Sequence, residues 1–160
     1  MKEKTIYYLT GPVHMGKTTR LNEWIKYQKN VDGILAPIID GQRHLHRIKT
    51  GELQQLELND ENSAQKIVKI GQYQFTGEVF DWARQQLYEA AQSCPDWLII
   101  DEIGPLELGG EGLEPAVSII ISSLKTDNHT KQLLVIRDRL LTEVLQHYKI
   151  NNHEPFRFST

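Results

Sequence analysis

Residues 5–10, TIYYLT, run directly into residues 11–20, GPVHMGKTTR. The first six mix β-branched and aromatic side chains and stop at Gly11 and Pro12, the composition of a short buried strand. From Lys17 the pattern changes. Leu21, Trp24 and Ile25 stand at i, i+3 and i+4, which predicts a helix with one apolar stripe. The segment between is therefore a strand-to-helix connection. Gly11, Gly16, Lys17 and Thr18 fill the spacing G-x-x-x-x-G-K-[ST]. A loop that wraps a phosphate turns successive N–H groups inward, and glycine tolerates the backbone angles this needs. The helix that follows points its positive end at the same place. Lys17 brings a full charge to the β- and γ-phosphates of a nucleoside triphosphate, and the Thr18 hydroxyl is suited to Mg2+. The pattern asks nothing of Pro12, Val13, His14 and Met15.

A triphosphate site needs a second, acidic element for the metal, at the end of a buried strand near the loop. Residues 97–104, WLIIDEIG, supply four apolar residues followed by Asp101 and Glu102. Successive strand residues point to opposite sides, so the two carboxylates are expected to divide the work. Asp101 faces Mg2+. Glu102 faces the attacking water, orients it and takes its proton. Gly104 and Pro105 then turn the chain, and Glu107 either approaches the acids or lies on the surface. Residues 131–137, KQLLVIR, read as another buried strand. If it neighbours the first strand, Arg137 emerges at the ligand edge of the sheet, where it would stabilise charge on the transferring phosphoryl group. The alternative is a surface arginine paired with Asp138 or Glu143.

Residues 31–40, VDGILAPIID, predict a second strand, and RHLHRIKT and GELQQLELN predict alternating strands after it. Residues 33–59 thus form an antiparallel meander appended to the main sheet. His44 and His46 read as part of a polar sheet face rather than a metal site. Val79, Phe80, Ala83, Leu87 and Ala90 mark one face of a long helix, and Pro115 stands near the start of another. A last helix over residues 138–148 is expected to be capped by Asp138, with a short strand at the C-terminus. Strands alternate with helices, so the fold class is α/β, a mainly parallel sheet with helices on both faces. The length suits one domain over residues 1–160.

Composition narrows the function classes. The formal net charge of -3 argues against a protein held to nucleic acid by bulk positive charge. Cys94 is the one cysteine, so no internal disulfide forms and the chain suits a reducing compartment. No apolar stretch approaches the roughly 20 residues of a membrane span. These features predict a soluble, cytoplasmic protein whose partner is a nucleoside triphosphate. No segment announces a protein partner.

LTGPVHMGKTT, IGQYQF and PDWLIIDEIGPLEL, in that order, resemble the small P-loop nucleoside-triphosphatases that include the human cancer-related nucleoside triphosphatase and thermophilic bacterial relatives. The resemblance covers residues 4 to about 120. It implies a RecA-like P-loop fold and slow Mg2+-dependent hydrolysis of several nucleoside triphosphates to diphosphate and phosphate. It implies phosphate binding by Gly11, Pro12, Val13, His14, Met15, Gly16, Lys17, Thr18 and Thr19, metal coordination by Asp101 and water activation by Glu102. Gly71 and Tyr73 match the family's GxY segment, and Pro105 replaces a lysine usual after DEIG. Two other classes compete. A small nucleoside or nucleotide kinase needs an arginine-rich lid and an acceptor pocket, whereas Arg43, Arg47 and Arg84 are scattered. A non-catalytic nucleotide-binding module would bind without turnover.

Overall fold

The structure, a computed structural model, describes residues 3–12, 16–58, 67–70, 73–124 and 129–158. The first strand, β1 (Ile6–Gly11), leads through the glycine segment to α1 (Lys17–Ile25) and then β2 (Val31–Leu35). Three short strands follow: β3 (Ile38–Ile39), β4 (Gln42–Arg47) and β5 (Leu53–Gln55). A separate antiparallel pair, β6 (Ile67–Ile70) and β7 (Tyr73–Thr76), precedes the long helix α2 (Gly77–Gln92). The chain continues through β8 (Trp97–Ile103), α3 (Pro105–Leu108), α4 (Ala116–Ser123), β9 (Lys131–Arg137), α5 (Leu141–His147) and β10 (His153–Pro155).

Five strands are parallel, in the order β10–β1–β9–β8–β2. The connection from β1 to β2 passes over β9 and β8, so strand order reverses beside β1. In open α/β sheets that reversal opens a crevice at the carboxyl ends of the strands. The glycine loop lies at that edge.

Strands of a parallel sheet covered on both faces read as continuous apolar runs, and β8 and β9 do. Leu98, Ile100, Leu134 and Ile136 pack with Ala83 and Leu87 of α2, Ile120 of α4 and Val144 of α5. The alternate residues Ile99, Leu133 and Val135 face the other way, against Leu21 of α1 and Phe156. There Trp24, Trp97 and Phe156 meet edge to face, with centroids 5.1–5.5 Å apart. Helices on both faces of a mostly parallel sheet are as expected.

The antiparallel part is also present, in detail different from the expectation. The stretch 31–40 is not one strand. Pro37 has no N–H to continue a ladder, and the chain bends there. β2 stays in the parallel sheet beside β8, while β3 and β5 pair with β4. β4 is tied back to β2 by a buried ion pair. Arg47 donates from Nε and Nη2 to the two oxygens of Asp32 at 2.8 and 2.7 Å, and from Nη1 to Gln86 of α2 at 2.7 Å. Gly33, the next residue of β2, has φ 126°, and a Cβ there would stand 2.0 Å from the Ile99 carbonyl oxygen. Only glycine lets β2 and β8 approach so closely.

Asp138 does not cap the last helix. α5 starts at Leu141 with Leu140 at its N-cap and no side-chain cap. Arg139 takes φ 73°, and Leu140 donates to the Arg137 carbonyl at 3.0 Å, so a tight turn separates Asp138 from the helix. The pair β6–β7 and the short helix α3 were not anticipated from the sequence.

Candidate active site

The phosphate-loop residues divide as follows. Gly11 ends β1, Pro12 is exposed, and Val13, His14 and Met15 lie outside the described residues. Gly16 stands immediately before α1 with φ 74° and ψ 27°, a left-handed conformation that glycine adopts without Cβ strain. No side chain caps α1. Lys17 Nζ reaches back across the loop and donates to the Gly11 carbonyl at 2.8 Å and to Pro12 O at 3.5 Å. Thr18 is half-buried and Thr19 exposed.

Thr18 and Asp101 are 83 positions apart and in contact. Thr18 Oγ1 donates to Asp101 Oδ2 at 2.8 Å, and the Ala36 N–H donates to the same oxygen at 3.1 Å. Asp101 is buried, and burial, with the neighbouring Glu102 charge second, pushes its carboxyl up to about 6. The two hydrogen bonds and the charge of Arg43 act the other way. A hydroxyl and a carboxylate oxygen at this separation match adjacent ligands of an octahedral Mg2+, whose 2.0–2.1 Å bonds set them about 2.9 Å apart. Both are the hard oxygen ligands that ion prefers. Mg2+ therefore fits this donor pair.

Glu102 falls at an irregularity. Asp101 faces Val135 and Ile103 faces Ile136, so β8 spends two residues where β9 spends one. Such bulges re-aim a side chain. Glu102 Oε1 accepts from Arg137 Nε at 3.1 Å. Arg137 reaches it because β9 is the direct neighbour of β8; β9 also pairs with β1, with Arg137 opposite Gly11 in the register. Its partner is Glu102, neither Asp138 nor Glu143. The site thus brings together Gly16, Lys17, Thr18, Asp101, Glu102 and Arg137.

Glu107 is not a surface residue. It is 4% exposed, accepts from the Gly104 N–H at 2.8 Å on Oε1 and from the Leu113 N–H at 3.0 Å on Oε2, and burial pushes its carboxyl up to about 7. It holds the turn after the acids. A signal existed in the sequence: Gly104 and Glu107 have the N-cap-to-N3 spacing in which a glutamate returns to the N-cap N–H. Two further groups at the site were missed. The Ala36 N–H is a backbone donor and leaves no trace in side-chain identity. Arg43 Nη1 donates to the Ala36 carbonyl at 2.6 Å, placing a cation near Asp101. Gly71 and the side chain of Tyr73 lie outside the described residues. Among the described residues no cluster of three His, Cys, Asp or Glu side chains is arranged to hold a metal. His44 and His46 sit two apart on β4, with His44 Nδ1 2.9 Å from Gln42 O.

Comparison with known proteins meets this geometry from the outside. A family model described as NTPase matches residues 6–157. Nucleoside-triphosphatase THEP1 of Sulfolobus acidocaldarius is 31% identical over 160 residues, 86% of this chain and 90% of that protein. THEP1 from the hyperthermophile Aquifex aeolicus superposes with a TM-score of 0.68 at 16% identity, covering 97% of this chain and 90% of that one. The solution structure of a human cancer-related nucleoside triphosphatase gives 0.66 at 23% identity, covering 96% and 88%. These two share the fold. With its sequence matched from β1 to the residues after β10, the chain belongs to the NTPase family.

Proposed function

We propose that the protein hydrolyses nucleoside triphosphates, ATP and GTP among them, to diphosphate and phosphate with Mg2+. The observation that carries this is the 2.8 Å contact between Thr18 and Asp101, which unites the loop with the acid pair. The phosphates lie in the loop formed by Gly11, Pro12, Val13, His14, Met15, Gly16, Lys17, Thr18 and Thr19. Lys17 leaves the Gly11 and Pro12 carbonyls to meet the β- and γ-phosphates. Thr18 and Asp101 hold Mg2+, which when bound neutralises charge developing on the phosphate oxygens. Glu102 orients a water molecule and takes its proton. Arg137, fixed at its Nε by Glu102, offers its terminal amino groups to the transferring phosphoryl group. Such catalysis rests on positioning and charge, which all nucleoside triphosphates share. We read residues 1–160 as one catalytic domain working in the cytoplasm. A lone cysteine favours that compartment, and no helix of the described residues is long and apolar enough to cross a membrane.

The test is Mg2+-dependent phosphate release from ATP, GTP, CTP and UTP, with nucleotide binding followed in the same samples. Glu102→Gln is expected to bind and not turn over, and Lys17→Ala to lose binding. Wild-type protein that binds without releasing phosphate would sink the hydrolase reading.

A further inference from the structure

Arg43, Leu45 and Arg47 alternate with His44 and His46 along β4, so the two arginines share the face of Leu45, which is buried in the core. Each arginine fastens this strand to the chain around β2. Arg47 binds Asp32, near its start. Arg43 acts beyond its end, where Nη1 donates to the Ala36 carbonyl at 2.6 Å. Ala36 lies between β2, which stops at Leu35, and β3, which begins at Ile38. Pro37 follows it and has no N–H for a ladder. Sheet pairing therefore lapses at the residue whose N–H meets Asp101 Oδ2 at 3.1 Å. A residue in such a place needs another restraint, and the Arg43 guanidinium supplies one at its carbonyl.

Arg43 is itself held through its backbone. Its N–H donates to Glu57 Oε1 at 3.1 Å, and its carbonyl accepts from the N–H groups of Leu56 and Glu57 at 2.9 and 3.0 Å. Hydrogen bonds thus run from the residues after β5 through Arg43 and Ala36 to Asp101. Groups that hydrogen-bond to a metal ligand fix its orientation, and losing one typically costs about 10- to 100-fold in metal affinity. We propose that Arg43 is a positioning residue for Asp101, acting through Ala36, and that this is what the antiparallel extension contributes to the reaction. The inference rests on the reading of Thr18 and Asp101 as the Mg2+ pair. Arg43 fixes Ala36, and the Ala36 N–H fixes the Asp101 oxygen that also meets Thr18. The aspartate is then aimed before the metal arrives.

The experiment follows binding of a fluorescent nucleoside triphosphate across a titration of free Mg2+. Arg43→Met keeps an unbranched apolar stem and removes the donor and the charge. It is expected to raise the Mg2+ concentration for half-maximal binding about tenfold, with nucleotide affinity converging on wild type at saturating Mg2+. Arg43→Lys returns one donor and the charge, which is all that a single contact to a carbonyl uses, and is expected to stay within about threefold of wild type. Should Arg43→Met fail to fold, Glu57→Ala keeps the guanidinium and removes part of its backbone support. A rise of about threefold is expected there, and an unchanged value overturns the role. For Arg43→Met, an unchanged Mg2+ dependence, or a loss of affinity that persists at saturating Mg2+, overturns the positioning role and leaves the hydrolase reading standing. A lysine variant no better than the methionine one overturns it as well. Wild-type binding that ignores Mg2+ overturns the metal pair and this inference with it.

Discussion

Arg137 Nε donates to Glu102 Oε1 at 3.1 Å, joining the end of β9 to the bulge in β8. The contact holds the carboxylate in one orientation and leaves the terminal amino groups of the guanidinium without hydrogen-bond partners among the described residues. If Arg137 orients Glu102 and stabilises transferring charge, Arg137→Ala lowers kcat about 10²-fold or more and leaves KM within a few-fold. Arg137→Lys restores part of the loss, since a lysine returns charge without the planar fork. Steady-state kinetics of the two variants checks this. Equal losses for both, carried in KM, would point to ground-state binding instead.

Thr18→Val keeps the shape of the side chain and removes the hydroxyl that meets Asp101. The buried carboxylate then has the Ala36 N–H as its remaining hydrogen bond in this group, at a cost of about 1–3 kcal/mol in the metal-free protein. The Mg2+ concentration needed for half-maximal nucleotide binding is expected to rise about tenfold or more, as the loss of an oxygen ligand predicts. A Mg2+ titration of nucleotide binding and a denaturation curve read the two effects separately.

How much of this was legible in the sequence follows from distance along the chain. The loop and the pair Asp101–Glu102 are short continuous patterns, and the strands that carry them are apolar runs. Both could be read from residues alone. Arg137 was readable only as a condition, because its place depends on β9 lying beside β1, a fact of strand order. Glu107 was ambiguous because a glutamate in a polar turn has the same letters whether it faces solvent or satisfies two buried N–H groups. The Asp32–Arg47 pair left no local signature, since its members lie on different strands. Asp138 misled because a good N-cap residue stands near a helix, but three residues before its first turn.

That buried pair carries its own prediction. Asp32→Ala leaves the Arg47 guanidinium buried without its carboxylate and is expected to cost about 3–5 kcal/mol. Asp32→Leu together with Arg47→Met replaces both charges by apolar groups and costs less than the single truncation. Urea denaturation of the single and double variants gives the comparison. A double variant less stable than the single would contradict it.

Glu107 makes stability depend on pH. Its folded-state carboxyl is raised to about 7, above the ordinary value of 4.5, so the folded protein holds a proton that the unfolded chain releases. Folding stability is therefore full below about pH 4.5 for this group and is lost as pH rises to about 7. Denaturant midpoints measured across that range without nucleotide are expected to fall, with a shallower slope in Glu107→Gln. A slope unchanged by the substitution would assign the effect to other groups.

The position of β9 between β1 and β8 has a further consequence. Adjacent strands in a sheet are held about 4.8 Å apart by their hydrogen bonds, so the strand ends carrying the loop and the acid pair stand two such steps apart, on the order of 10 Å. The middle strand is a ruler. Its length scale comes from the backbone, and no side-chain substitution on β9 rescales it. Variation within this chain can exchange the group mounted at the middle mark, where Arg137 stands, while the span between the outer two stays fixed.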